Sequence, residues 1–189
     1  MLNAIKEGAD LSVIDILNRQ LADTLDLRSQ TREASFNIRE CREDLRPLFD
    51  GLSRDLRELA DLIAEKISDA GGYAIGNVRA VARESRLRDY PDEVLNAGEQ
   101  LRALLSSHSR YELNTICNLN TLRARGDFET IKVFDPVLAF IENSLWFLEA
   151  YLEGIAVGLH GRKLPLWTSS LSTQRMFRLA AASSEPSVK

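Results

Sequence analysis

Cysteine is nearly missing from this chain, and the two residues present, Cys41 and Cys117, stand in neither a metal-binding nor a redox spacing. A disulfide framework and a zinc ribbon are therefore excluded, and a reducing, cytoplasmic setting is the expectation. Histidine is equally scarce, with only His108 and His160, far apart in sequence. That leaves little material for a Ser/His or Cys/His catalytic pair, and no glycine-rich phosphate loop occurs. No uncharged apolar run approaches the roughly 18 residues that a spanning helix needs. The first ten residues also lack the apolar stretch of an export signal, so neither membrane insertion nor export is expected.

A strong charge imbalance is absent too, the net value being -4 over 189 residues, although its distribution is uneven. Residues 158–189 carry Arg162, Lys163, Arg175, Arg178 and Lys189 against Glu185 alone, a net of +4, which leaves -8 on residues 1–157. An acidic body with a basic C-terminal tail is the expected organisation, and at 44% hydrophobic content the body is large enough for one cored domain.

What is abundant is helical periodicity. Leu45, Leu48, Leu52, Leu56, Leu59, Ile63 and Ile67 follow steps of 3, 4, 4, 3, 4 and 4, the stripe of a long amphipathic helix over about 45–70. Asp44 can cap its start, Pro47 falls in its first turn and Gly71-Gly72 ends it. Upstream, Ile14, Leu17, Leu21 and Leu25 lead toward Phe36 and Ile38, predicting a helix over about 10–39. Downstream, Leu101, Leu104, Leu105, His108, Glu112, Ile116, Leu119 and Leu122 predict a third long helix over about 95–124, ended by Gly126. Val137, Ile141, Leu145, Leu148, Leu152 and Ile155 predict a fourth, starting near Asp135-Pro136 because an interior proline breaks a helix. The weak pattern between Tyr73 and Pro91 marks a long crossover with room for a short helix. Four long helices with short first and last links and a long middle crossover predict an all-α, ferritin-like four-helix bundle over residues 1–157.

Several segments in order resemble the Dps family, the DNA-protecting mini-ferritins of bacteria, over about residues 10–153. Ala34-Ser35-Phe36-Asn37-Ile38-Arg39 stands where that family has Ala-His-Trp-Asn-Val-Lys. Leu48-Phe49-Asp50 stands at its second-helix aspartate, and Asp61-Leu62-Ile63-Ala64-Glu65-Lys66 with Gly71-Gly72 at its Asp-x-x-Ala-Glu-Arg…Gly-Gly core. Leu87-Arg88-Asp89-Tyr90-Pro91 and Leu145-Trp146-Phe147-Leu148-Glu149-Ala150 match its crossover and its last helix, with one residue missing near 40–44. The resemblance implies a homo-oligomeric, hollow dodecamer that binds Fe(II), oxidises it with hydrogen peroxide and stores ferric mineral, thereby protecting against oxidative stress.

Helix geometry agrees with part of that expectation. Asp61 and Glu65 are i, i+4 neighbours about 6 Å apart in rise, whereas Asp50 lies eleven residues earlier, roughly 16 Å along the same face. One chain cannot bring all three to one ion; two antiparallel copies across a two-fold axis can, which is the family's inter-subunit site. Without that resemblance the trio reads as a solvated charged face. The family's two histidines at this site are replaced by Ser35 and Arg46, a weak ligand and a non-ligand, and Arg46 is spaced to pair with Asp50. Weak iron binding and weak or absent ferroxidase activity follow as expectations. His108, on the third helix's apolar stripe, reads as a satisfied core histidine rather than a ligand, and His160 as solvent-facing.

Asp127, Glu129 and Asp135 read either as the carboxylate lining of a three-fold pore or as an acidic helix start. Arg162, Lys163, Arg175, Arg178 and Lys189 read either as a DNA-holding arm or as a plain flexible terminus. The alternatives to an iron-handling cage are a non-catalytic or DNA-coating cage, a hetero-oligomer with an active paralogue, and a helical interaction module without a metal role.

Overall fold

The computed structural model describes residues 12–38, 45–93, 96–156 and 167. Within them the order is α1 (Val13–Phe36), α2 (Arg46–Asp69), α3 (Val78–Glu84), α4 (Ala97–Ala124), α5 (Phe128–Ile131) and α6 (Phe134–Ala156), with no strand among the described residues. Local chemistry sets most boundaries. Ser12 and Asp15 form a capping box at the start of α1, and Asn96 with Glu99 forms another at α4. Asn77 caps α3 through a bond from the Ala80 N–H. Gly71 and Gly126 adopt φ of 76° and 71°, the left-handed turn that ends α2 and α4.

Three boundary expectations change. Asp44 lies outside the described residues, and α2 begins after Leu45, which makes no side-chain cap bond, with Pro47 in the first turn. The fourth long helix starts earlier than expected, at Phe134, so Pro136 sits in the first turn where its missing N–H is harmless. Between α4 and α6 the chain makes the short α5, capped by Asp127, which hydrophobic periodicity alone does not reveal.

α1 packs along α2 and α4, α4 along α6, and α3 against α1, while α2 and α6 touch more sparsely. This is a ferritin-like four-helix bundle. The α2 stripe is sealed as its spacing predicts: Leu45, Leu48, Leu52, Leu56, Leu59, Ile63 and Ile67 are all at 0% exposure. Each such side chain contributes about 1.5–3 kcal/mol of burial free energy. Phe36, by contrast, is 68% exposed, because the buried face of α1 runs through Leu17, Leu21, Leu27 and Ala34. Ile116 is exposed as well, so the buried face of α4 runs through Tyr111 and Thr115 instead. One described residue follows α6: Trp167, half-buried against the core.

The α1–α4 seam is polar. Asp23, fully buried, accepts from the Arg86 guanidinium at 2.6 and 3.1 Å, from the Arg86 backbone N–H at 2.8 Å and from Asn114 Nδ2 at 3.1 Å. Arg86 Nη1 also donates to Asn118 Oδ1, Asn118 Nδ2 to Gln20 Oε1, and Gln20 Nε2 to Thr115 Oγ1. Thr24 and Tyr111 close the chain of bonds at 2.7 Å. Burial pushes the Asp23 carboxyl above its ordinary range, and the Arg86 charge and the donated bonds pull it back. Arg86 belongs to the crossover, so this network fixes where the long connection passes over α1. Arg86→Met removes the cation and leaves a buried carboxylate behind, which is expected to cost about 3–5 kcal/mol. Denaturant unfolding of the variant measures this, and adding Asp23→Asn is expected to recover a large part of the loss.

Candidate metal centre

The residues expected to ligate are all carried by two helix ends and one helix face. Ser35 is in the last turn of α1, Arg46 in the first turn of α2, and Asp50, Asp61 and Glu65 follow along α2. α1 and α2 pack as a hairpin, so Ser35 and Asp50 meet although fifteen residues separate them. Ser35 Oγ donates to Asp50 Oδ1 at 2.8 Å.

The expected Arg46–Asp50 ion pair is replaced by a different one. Arg32, one turn before Ser35 on α1, donates through Nη1 to the same Asp50 Oδ1 at 2.7 Å. Its guanidinium also lies over the Phe36 ring, 4.7 Å from the centroid. Arg46 turns instead toward α1 and donates to the Ser35 carbonyl at 3.3 Å. Spacing within one helix pointed to Arg46; the contact across the hairpin prevails because the α1 side chain approaches Asp50 directly.

Asp61 is exposed and 4.0 Å from Arg57, and Glu65 is exposed as well. Among the described residues no group of three His, Cys, Asp or Glu side chains could hold a metal ion within one chain. This agrees with the helix arithmetic, which separates Asp50 from the other two carboxylates by about three turns. Among the described residues no imidazole stands beside Asp50, whose Oδ1 is engaged by a guanidinium and a hydroxyl.

The other candidates divide. Asp127 Oδ1 accepts from the Thr130 N–H at 3.0 Å as the cap of α5, which holds its carboxyl below the ordinary range. Glu129 accepts from Lys132 Nζ at 2.7 Å, which also holds its carboxyl down. Asp135 stands in the first turn of α6. All three therefore have local helix-end surroundings, and Asp127 and Glu129 have local partners. Arg162, Lys163, Arg175, Arg178, Lys189 and His160 lie outside the described residues.

Residues 14–156 match the family described as Ferritin, a ferritin-like domain. A DNA protection during starvation protein of Agrobacterium fabrum is 29% identical over 152 residues, covering 80% of this chain and 94% of that protein. Among solved structures, DpsC from Streptomyces coelicolor superposes with a TM-score of 0.69 at 26% identity, over 82% of this chain and 87% of that one. The chain belongs to the Dps family of ferritin-like proteins. A Mycobacterium smegmatis Dps1 variant has the same fold, with a TM-score of 0.70 at 23% identity, over 74% of this chain and 94% of that one. Among the described residues no helix is long and apolar enough to cross a membrane.

His108 corrects one expectation of this Dps chain. It is fully buried beside Phe140, with Nδ1 at 2.8 Å from the Leu104 carbonyl, but its Nε2 has no partner. It is thus half-satisfied rather than satisfied. Burial lowers its pKa from 6.5 to about 4, so it is neutral at pH 7 and donates from Nδ1. Because the folded-state value is depressed, the unfolded chain binds the extra proton first. The stability involved is fully present above pH 6.5 and is lost as pH falls toward 4. The loss amounts to about 3 kcal/mol. His108→Leu is expected to flatten the stability profile between those two pH values in urea titrations; an unchanged slope would place the acid sensitivity elsewhere.

Proposed function

We propose that this chain is the subunit of a Dps-type cage, a homo-oligomer of twelve copies, that sequesters iron under stress while its inter-subunit site oxidises Fe(II) weakly or not at all. Family membership supports the cage and the iron-handling role, and the name of the Agrobacterium relative supports a role in protection during starvation. The observation that carries the second half is the engagement of Asp50 by Arg32 and Ser35.

At the site implied by the resemblance, Asp50 of one subunit faces Asp61 and Glu65 of the partner subunit, with two imidazoles completing the ligand set. In this chain a serine hydroxyl and an arginine stand at the imidazole positions, and the carboxylate already has a cationic partner. A ferrous ion approaching Asp50 must displace the Arg32 guanidinium and forfeit the Ser35 hydrogen bond, and it gains no nitrogen ligand in return. Positive charge from Arg32 and Arg46 also lowers the local concentration of a dication. Fe(II) is the substrate here, and the residues present hold it poorly.

Oxidation of Fe(II) by hydrogen peroxide on the assembled protein, followed by ferric absorbance, tests the reading. The natural chain is expected to run close to the protein-free rate. Ser35→His with Arg46→His is expected to raise the rate at least about tenfold, the size of effect that even supporting groups exert on metal sites. Rapid oxidation by the natural chain would show that other ligands do the work.

A further inference from the structure

We infer that the cleft between α2 and α6 is a docking site for the chain's own C-terminal segment, with Trp167 as its anchor and Gly51 as the notch that admits it. The ferritin-like match ends at residue 156, so the anchor comes from outside the domain it completes. Its indole packs edge-on against two α6 rings, Phe140 at 6.1 Å and 72° and Phe147 at 5.0 Å and 64°. Aromatic pairs favour this tilted geometry. On the other side it rests on the backbone of α2: a Cβ added at Gly51 would stand 2.3 Å from Trp167 Cδ1 and 2.9 Å from Cγ. No side chain fits there with the indole in place. α2 and α6 touch each other sparsely, and the indole occupies the space where closer helix contact is missing.

The seat is built for shape rather than polar recognition. Trp167 Nε1 is buried without an acceptor, and an orphaned donor offsets part of the gain from burying the ring. Such an anchor is releasable, unlike a fully satisfied core residue. The segment that carries it holds all five cationic residues of the C-terminal region, Arg162 and Lys163 before the anchor and Arg175, Arg178 and Lys189 after it. Thirty-three residues separate Ala156 from Lys189, an extended reach of about 110 Å, but only twenty-two separate Trp167 from Lys189, about 75 Å. An anchor at Trp167 therefore cuts the maximal span open to the basic end by about a third.

Trp146 is the second tryptophan and is 57% exposed, so Trp146→Phe leaves Trp167 as the sole indole reporter in the full-length protein. In that background the emission is expected to be blue-shifted and shielded from acrylamide. Gly51→Ala, favourable to the helix itself, is expected to evict the indole: emission moves to the red, and quenching and tryptic cleavage after residue 157 each rise several-fold at unchanged helix content. Trp167→Ala in the otherwise natural chain is expected to speed the same cleavage, independently of any strain in α2. Solvent-like emission before Gly51 is changed, or quenching and cleavage unaltered by both substitutions, would overturn the docking site.

Discussion

A carboxylate sealed between two helices has to find a cation, and Asp23 finds Arg86 on the crossover. The rest of the architecture depends on that pairing. Among its described residues the crossover from Ala70 to Asn96 has only the short α3 as regular structure, so little but side-chain chemistry can fix its path. Arg86 does so by bonding α1 through Asp23 and α4 through Asn118, while Asn114 and Gln20 satisfy the remaining polar atoms. A buried pair left half-made is costly, so the network selects one path for the crossover and one register for α1 against α4. The apolar stripe of α2 and the aromatic face of α6 then close the other side of the bundle.

The same α1–α2 register sets the state of the candidate metal centre. It brings Arg32 and Ser35 to Asp50 together, so the carboxylate that would reach across to a second subunit is engaged within its own. Phe36 supports the guanidinium from the exposed side. Two features of one helix end, a missing imidazole and a resident guanidinium, act in the same direction, against cation binding. Neither disturbs the fold, so the Dps architecture is compatible with the weak iron chemistry proposed for this chain.

The bundle was legible because hydrophobic periodicity reports burial directly: each leucine and isoleucine of the Leu45–Ile67 stripe is sealed, and Gly71 and Gly126 end helices with the positive φ that glycine favours. Ser35 and Asp50, which the motifs single out, share a hydrogen bond across the α1–α2 hairpin. What escaped was pairing between elements. Arg46 was read as the partner of Asp50 from spacing along one helix, whereas Arg32 reaches it from another, and no one-dimensional pattern ranks those two. Asp23, Asn114 and Asn118 belong to no apolar stripe, yet they are interior, where Arg86 meets Asp23 and Asn118 and Asn114 bonds Asp23. Phe36 and Ile116 read as core and are exposed, since apolar residues on a bundle need not all face inward. Trp167 carried no signal beyond its size, because its seat is made by the absence of a side chain at Gly51.

The most direct measurement is an anomalous-scattering map of the assembled protein soaked anaerobically with Fe(II). No iron is expected between Asp50 of one subunit and the partner subunit's Asp61 and Glu65, with Arg32 still bonded to Asp50. An iron peak there at about 2 Å from an Asp50 oxygen, with Arg32 swung away, would contradict it.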